Sequence, residues 1–275
     1  MAEQPAIDPM HQFLIHKIVD IAPLNLGGFM LDMSITNSVM TLLLGAALLM
    51  VFLALTARGE IVPNRWQAAA EALYGIIDNV LVTPIIGQGG RPYIPFIFTL
   101  FMLILTLNLM SVVLAVGNIV GGELTFTVTA QLAVTATLAV LTFLSVFILG
   151  FIKHGAKFLG IFWVPGMGVI GGILMVFIEM ISYFVRPVTL AMRLFGNMLG
   201  GHVVMSLFGS FVVGLGIFAL SGGLATLGWL GSGLSLTMIV ALTGLELVVA
   251  VLQAFVFAAL TTVYLNEVVN FGHGH

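Results

Sequence analysis

The chain has 275 residues, of which 60% are hydrophobic and 7% charged, and its formal net charge is -3. Soluble domains carry about 25% charged residues, so this composition excludes a water-soluble domain. The apolar runs are continuous and long enough to cross a bilayer as helices, and they lack the alternation of a membrane β-barrel. The chain contains no cysteine, which excludes a disulfide framework and thiolate metal sites.

The predicted fold class is an all-α polytopic membrane protein with about five membrane-spanning helices. Residues 1–36 are predicted to form an N-terminal outside segment, and residues 37–275 a single transmembrane helical domain. The spans are expected at about 37–56, 93–116, 132–151, 169–220 and 234–265.

Residues 64–82 show a different pattern from these spans. Apolar side chains recur there at helical spacing, opposite Arg65, Glu71 and Asp78. This pattern predicts an amphipathic helix that lies along the membrane surface and does not cross it.

The basic residues predict the orientation of the chain. Arg58, Arg65 and Arg91 follow the first span, and Lys153 and Lys157 follow the third. Because cytoplasmic loops carry the excess of basic residues, the N-terminus is expected outside and the C-terminus inside.

The stretch 169–220 is too long for an ordinary span. As one helix its 52 residues would measure about 78 Å, against about 30 Å of hydrocarbon. It could be one strongly tilted helix, bent or broken near Pro187, or two spans. We favour one tilted helix that forms a hairpin with the last segment, because two spans would move the tail to the outside.

Polar residues are concentrated in residues 186–202, RPVTLAMRLFGNMLGGH, inside this apolar stretch. An arginine at such a position costs about 2.5–3.5 kcal/mol on insertion scales, so Arg193 is interpreted as functional. Asn197 lies one turn later on the same side of a helix, whereas His202 lies about 180° away from Arg193.

Glu179, Arg186 and Arg193 are spaced seven apart and share one stripe of the helix. We favour an ion pair between Glu179 and Arg186 near the inner interface. Asn108 is the only strongly polar residue of the second span, and its expected role is helix packing more than transport.

The last segment supplies Glu246 and Gln253, which are seven apart on one face. If the hairpin turns about residue 227, His202 faces residue 252, between these two side chains. This arrangement predicts a proton pathway that reaches the membrane interior from one side. The alternatives are a buried salt bridge between Arg193 and Glu246, and a hydrogen bond from His202 to a backbone carbonyl.

At these residues the chain resembles subunit a of the F-type ATP synthase. The likeness covers roughly residues 35–268 and is carried by three motifs. They are RLFGNM within 186–202, ELVVAVLQAFVFAALTTVYL at 246–265 and NLM at 108–110.

The resemblance implies roles for individual residues. Arg193 matches the essential arginine that faces the buried carboxylates of the rotor ring, and Asn197 belongs to the same motif. Gln253 matches the glutamine that faces this arginine from the last helix. His202 and Glu246 match two positions in an aqueous half-channel, and some bacterial members carry Glu at the first and His at the second. Secondary candidates are Arg186, Glu179, Asn108 and Tyr264.

The same resemblance implies partners and location. The expected partners are a ring of small hairpin c subunits, the b subunits of the peripheral stalk and membrane lipid, within a large hetero-oligomeric complex. The chain is expected in the inner (plasma) membrane of a bacterium, and is not an enzyme on its own. No cofactor, metal or nucleic acid is expected.

Two histidine pairs lie near the ends of the sequence. His11 and His16 are interpreted as solvated surface residues, because a spacing of five does not place them on one helical face as metal ligands. His273 and His275 could bind a metal, but we favour the interpretation that they are simply part of a polar tail.

Two other classes of function remain open. A secondary transporter could use an internal carboxylate and arginine at a substrate site, but the sequence shows no internal inverted repeat. A structural membrane scaffold is disfavoured by an arginine in the interior of a helix. Co-purification with an oligomeric ring separates both from the favoured function.

Overall fold

A computed structural model describes residues 17–19, 24–26, 29–31, 34–56, 62–119, 130–162, 169–222 and 226–270. The histidine pairs His11/His16 and His273/His275 lie outside these residues. The described part of the chain is mainly helical, which confirms the predicted all-α class.

The α-helices account for most of the described residues. They are α1 (Asn37–Thr56), α2 (Arg65–Ile76), the single turn α3 (Thr83–Ile85), α4 (Ile94–Ile119), α5 (Leu132–His154), α6 (Val169–Ala219) and α7 (Gly228–Val269). A π-helical stretch, Ile77–Val82, joins α2 to α3, and 3₁₀ turns occupy Gln88–Tyr93 and Gly155–Phe162.

In the described residues before α1 there are four short strands, which the sequence did not predict. They are β1 (Lys17–Val19), β2 (Leu24–Leu26), β3 (Phe29–Leu31) and β4 (Ile35–Thr36). Strand β1 pairs antiparallel with β4, and β2 pairs antiparallel with β3.

Six helical stretches of the described residues are long and apolar enough to cross a membrane. They are Asn37–Thr56, Arg65–Ile85, Gln88–Leu114, Leu132–His154, Gly171–Ala219 and Gly228–Val269. Arg65–Ile85 is the least apolar of them, and the sequence assigned it to the membrane surface. By length and composition it is nevertheless a sixth candidate span beside the five that were predicted.

Helix α6 is continuous from Val169 to Ala219, although Pro187 lies inside it. The structure thus has one helix where the sequence left a break near Pro187 open. Helix α7 begins at Gly228, earlier than the predicted residue 234, because the Gly/Ser-rich segment before Leu234 is already helical.

The described chain packs as two compact units. Unit 1 comprises Met1–Ala47, Thr106–Gln131 and Phe195–Val251, and unit 2 comprises Leu48–Leu105, Leu132–Leu194 and Leu252–His275. A buried cluster of Val112, Ala130, Met198 and Ala250 lies in unit 1. In unit 2 the ring of Phe158 packs directly on Gly150, where a Cβ would lie 2.6 Å from Cζ of that ring.

Candidate functional site

Within unit 1, α6 and α7 pack against each other as an antiparallel hairpin. Ser232 Oγ donates a hydrogen bond to the carbonyl oxygen of Val212 at 2.9 Å. Further along, Thr243 Oγ1 contacts Met205 Sδ at 3.6 Å. Further still, Gly201 lies directly against the side chain of Glu246. The contacts advance in opposite directions along the two helices, as a hairpin requires.

These contacts correct the predicted register of the hairpin. His202 lies at the level of Glu246, whereas the sequence placed it opposite residue 252. The error has a physical cause, since α7 starts about two turns before the predicted residue. Gly228 lets α7 begin against α6, because a Cβ there would lie only 2.7 Å from the carbonyl oxygen of Leu215.

Among the described residues of unit 1, His202 and Glu246 are the two buried titratable side chains of this hairpin. Their exposed fractions are 1% and 6%. Neither ring nitrogen of His202 and neither carboxylate oxygen of Glu246 has a hydrogen-bond partner among the described residues. The alternative in which His202 bonds a backbone carbonyl is therefore wrong for the described chain. Buried polar groups with a structural role are normally hydrogen-bonded, so these two groups are candidates for a functional site.

Gly201 makes the space that the Glu246 carboxyl group occupies. A Cβ at position 201 would lie 2.8 Å from Glu246 Cδ and still closer to Oε1. At the adjacent Gly200 a Cβ would have nothing within 4 Å. The carboxyl group can therefore lie against α6 because position 201 has no side chain. A side chain at position 200 would not interfere with it.

Asn108 on α4 contacts the same hairpin. Its Nδ2 donates to the carbonyl oxygen of Ala250 at 3.2 Å, one turn of α7 beyond Glu246. This contact joins α4 to α7, as the packing interpretation of Asn108 predicts. Asn197 on α6, also in unit 1, is exposed.

In unit 2, Arg193 lies on the exposed side of α6. Its neighbour Leu194 is buried, whereas the arginine side chain is exposed and makes no hydrogen bond or ion pair with a described residue. The alternative in which Arg193 forms a buried salt bridge is therefore wrong for the described chain. Gln253 of α7 is buried in the same unit.

Arg186 is the centre of a polar and aromatic cluster in unit 2. Its Nη2 lies 3.7 Å from Glu179 Oε1, which confirms the predicted ion pair, and its Nη1 lies 2.9 Å from Glu267 Oε1. The guanidinium carbon is 5.7 Å from the ring centroid of Tyr183 and 5.5 Å from that of Tyr264. We refer to Arg186, Glu179, Glu267, Tyr183 and Tyr264 as the Arg186 cluster.

Comparison with known proteins identifies the family. The family model described as "ATP synthase A chain" matches residues 38–266. The chain belongs to this ATP synthase family.

Individual relatives are similar over almost their whole length. The chain is 42% identical over 268 residues to ATP synthase subunit a of Azorhizobium caulinodans, which covers 97% of this chain and 99% of the relative. It is 44% identical over 269 residues to ATP synthase subunit a of Rhizobium johnstonii, and this alignment covers 98% of this chain and 99% of the relative. It is 39% identical over 268 residues to ATP synthase subunit a of Rhodopseudomonas palustris strain HaA2, and this alignment covers 98% of this chain and 100% of the relative.

Membership in the ATP synthase subunit a family, together with six apolar helices of sufficient length, makes the chain a multi-pass membrane protein. The matched range contains Arg193, Asn197, His202, Glu246 and Gln253.

Glu267 lies one residue beyond the match and was not among the predicted site residues. Its position three residues after Tyr264, on the same face of a helix, was the available signal.

Proposed function

We propose that the chain is the proton-translocating stator subunit of the ATP synthase membrane sector. In this proposal it couples proton flow to rotation of a ring of small hairpin c subunits and thereby to ATP synthesis. Family membership supports the assignment to the ATP synthase membrane sector. The observation that carries the finer proposal is Arg193, a permanent charge on the exposed side of an apolar helix with no ion-pair partner among the described residues.

Arg193 acts on the carboxylates of the passing ring. An arginine within about 4–6 Å stabilises the ionised form of a carboxyl group, so a ring carboxylate releases its proton when it reaches Arg193. In this proposal the chain supplies two aqueous half-channels, which admit protons from opposite sides of the membrane and do not meet. The charge of Arg193 repels protons and prevents them from passing directly from one half-channel to the other. Since each charge moved across 100 mV yields about 2.3 kcal/mol, such a leak would dissipate the energy that the ring must collect.

His202 and Glu246 line one of these half-channels. Ionisable residues inside membrane helices typically face a water-filled cavity or an ion path, and mark proton relays. A histidine and a carboxylic acid side by side can exchange a proton near neutral pH. Their burial at one level of the hairpin, without partners in the described chain, supports this role. Gln253 and Asn197 are proposed to act together with Arg193 in this mechanism.

The proposal includes the setting of the subunit. The chain crosses the bacterial inner membrane five times, with the N-terminus in the periplasm and the C-terminus in the cytoplasm. The stretch Arg65–Ile85 lies along the surface, near the b subunits of the peripheral stalk. The excess of basic residues after α1 and α5 supports this orientation.

Complementation tests the proposal and separates it from a transporter or a scaffold. In a strain that lacks the subunit, inverted membrane vesicles should regain ATP-driven acidification when the chain is supplied, and the tagged chain should co-purify with the oligomeric ring. A transporter would be recovered without the ring. A scaffold would co-purify with the ring, but the Arg193→Ala variant would then acidify the vesicles as well as the native chain. Either result contradicts the proposal.

Gly201→Ala should impair proton pumping because the new methyl group displaces the Glu246 carboxyl group. Overpacking costs about 1–3 kcal/mol, and if about 1.4 kcal/mol of this cost is added to the barrier for proton transfer, the rate of acidification falls roughly tenfold. Gly200→Ala is the matched control, since its methyl group meets nothing within 4 Å. The measurement is the initial rate of vesicle acidification per assembled complex. Equal rates for the two variants would show that the space at Gly201 is not needed for function.

A further inference from the structure

Two segments that are far apart in the sequence meet at the last turn of α7, within unit 2. From the 3₁₀ turn Gln88–Tyr93, Gly89 approaches so closely that a Cβ there would lie 3.4 Å from Val269 Cγ1. From the end of α5, Lys153 Nζ donates to the carbonyl oxygen of Val269 at 3.4 Å. Contacts with one residue of α7 thus bring the end of α5 and the turn before α4 close together.

This arrangement gathers positive charge at one end of the helices. Arg91, Lys153 and Lys157 belong to the two segments, and all three side chains are exposed. The sequence around them carries no compensating charge, since neither 79–122 nor 124–178 contains an aspartate or a glutamate. We refer to Arg91, Lys153 and Lys157 as the basic patch.

The acidic side chains that come closest along the chain already have partners. Asp78 accepts a hydrogen bond from Thr83 at 2.8 Å, and Glu267 pairs with Arg186 at 2.9 Å. Among the described residues, none forms an ion pair with the basic patch. Water can solvate exposed cations, so this charge alone does not identify a ligand.

Exposed apolar side chains directly adjoin the two lysines. Phe151 and Ile152 precede Lys153 on α5, and Leu159 follows Lys157 by two residues. Their exposed fractions are 37%, 78% and 54%. The surface that a ligand meets here is therefore cationic and apolar side by side.

The segment that carries Lys157 is folded back onto α5. Gly155 has a φ of 58°, a left-handed conformation that favours glycine, and the chain changes direction there. The ring of Phe158 is fully buried and packs on Gly150, one turn before the end of α5. Because Phe158 follows Lys157 directly, its burial keeps Lys157 at the same end of α5 as Lys153.

The combination matches one class of ligand. Helix α5 is a candidate span that ends at His154, so the basic patch lies where hydrocarbon gives way to water. An anionic phospholipid presents a phosphate to arginine and lysine, and its acyl chains cover apolar side chains beside them. A free phosphate ion would leave Ile152 and Leu159 uncovered.

We propose that the basic patch, with Phe151, Ile152 and Leu159 beside it, binds an anionic phospholipid. The phosphate lies among the three cations and the acyl chains lie along the apolar side chains. Of the proposed function, this inference uses only the position of these helix ends at a membrane surface. It is independent of the proton path through the chain.

Photoactivatable phosphatidylglycerol tests this site in the assembled complex. The complex is reconstituted in phosphatidylcholine bilayer discs with a scarce amount of the probe, so that occupancy follows affinity. The cross-linked peptides are then identified by mass spectrometry. The native chain should be cross-linked within 151–159, and photoactivatable phosphatidylcholine should give at least about tenfold fewer cross-links there. Equal yields from the two probes would contradict an anionic site.

The variant Lys157→Gln should reduce the cross-links about fivefold, the factor for one basic residue near an anionic lipid surface. Lys157→Arg keeps the charge and should retain them. Arg65→Gln is the matched control, because Arg65 is exposed at the far end of the helical stretch Arg65–Ile85, which is about 30 Å long. It should cross-link at the native level. Should Lys157→Gln not assemble, Arg91→Gln takes its place with the same expected loss.

Three outcomes decide against the inference. Equal losses in Lys157→Gln and Arg65→Gln would show a general attraction of the surface for anionic lipid and no site. Native cross-linking in Lys157→Gln would show that the patch does not hold the phosphate. Displacement of the probe by about 10 mM inorganic phosphate at constant ionic strength would show that the ligand is a free anion. Acidification by Arg193→Ala would refute the proposed function and leave the lipid site standing.

Discussion

Replacement of Arg193 by lysine is expected to abolish coupled proton transport, although lysine is also a cation at neutral pH in water. A lysine in a site without water can lose its proton, whereas arginine remains charged under all relevant conditions. A neutral lysine neither stabilises an ionised ring carboxylate nor repels protons from the barrier. Lysine also lacks the planar fork that binds both oxygens of a carboxylate. The measurement is gradient-driven ATP synthesis and ATP-driven acidification in the same vesicles, where we expect both to fall at least about a hundredfold.

Arg91→Lys is the matched control for this change. Arg91 is an exposed arginine in the 3₁₀ turn Gln88–Tyr93, and its replacement should leave both activities near the native level. Near-normal synthesis in Arg193→Lys, with the complex assembled, would mean that a positive charge alone is sufficient. The argument from the permanent charge of arginine would then fail.

The second large effect is expected at Glu246. Glu246→Leu should stop pumping almost completely, because a leucine at this buried position cannot accept or release a proton. General acid–base groups contribute typically about 10²–10⁴-fold, and the loss should fall within that range. The exchange variant, with His202→Glu and Glu246→His, should retain a substantial part of the native rate. It keeps one imidazole and one carboxyl group at the same level of the α6–α7 hairpin.

Leu245→Ala provides the control for helix packing, since Leu245 is the neighbour of Glu246 but is exposed. It should pump at close to the native rate. If Glu246→Leu pumps as well as Leu245→Ala, the buried carboxyl group is not part of the proton path. Complete loss in the exchange variant would instead show that the two positions are not interchangeable, against the proposed acid–base couple.

Much of the arrangement could be predicted from residue spacing. The seven-residue interval between Glu179 and Arg186 predicted their ion pair, because two turns of a helix bring such residues onto one stripe. The single helix through Pro187 was favoured because two spans there would have placed the tail outside, against the expected orientation from the basic residues. The first inference depended on a property that an isolated helix already has, and the second on the charges of the segments that connect the helices.

The features that were missed depend on contacts between helices. The hairpin register was wrong because the segment before Leu234, which is rich in glycine and serine, was read as a turn. In the structure this segment is the first part of α7, where Gly228 and Gly231 pack closely against Leu215 of α6. Glu267, the partner of Arg186 on α7, was missed because this contact also joins two helices. No periodicity within one helix shows which residue of another helix it will meet.

The most direct test of the proposed mechanism compares the native chain with Arg193→Ala in inverted membrane vesicles. Both ATP-driven acidification and passive proton leak are measured, with assembly of the complex verified in each preparation. We expect the variant to lose acidification and to conduct protons passively, since the barrier charge between the half-channels is gone. Acidification that survives Arg193→Ala in an assembled complex would mean that Arg193 is structural, and would contradict the proposed coupling of proton flow to rotation.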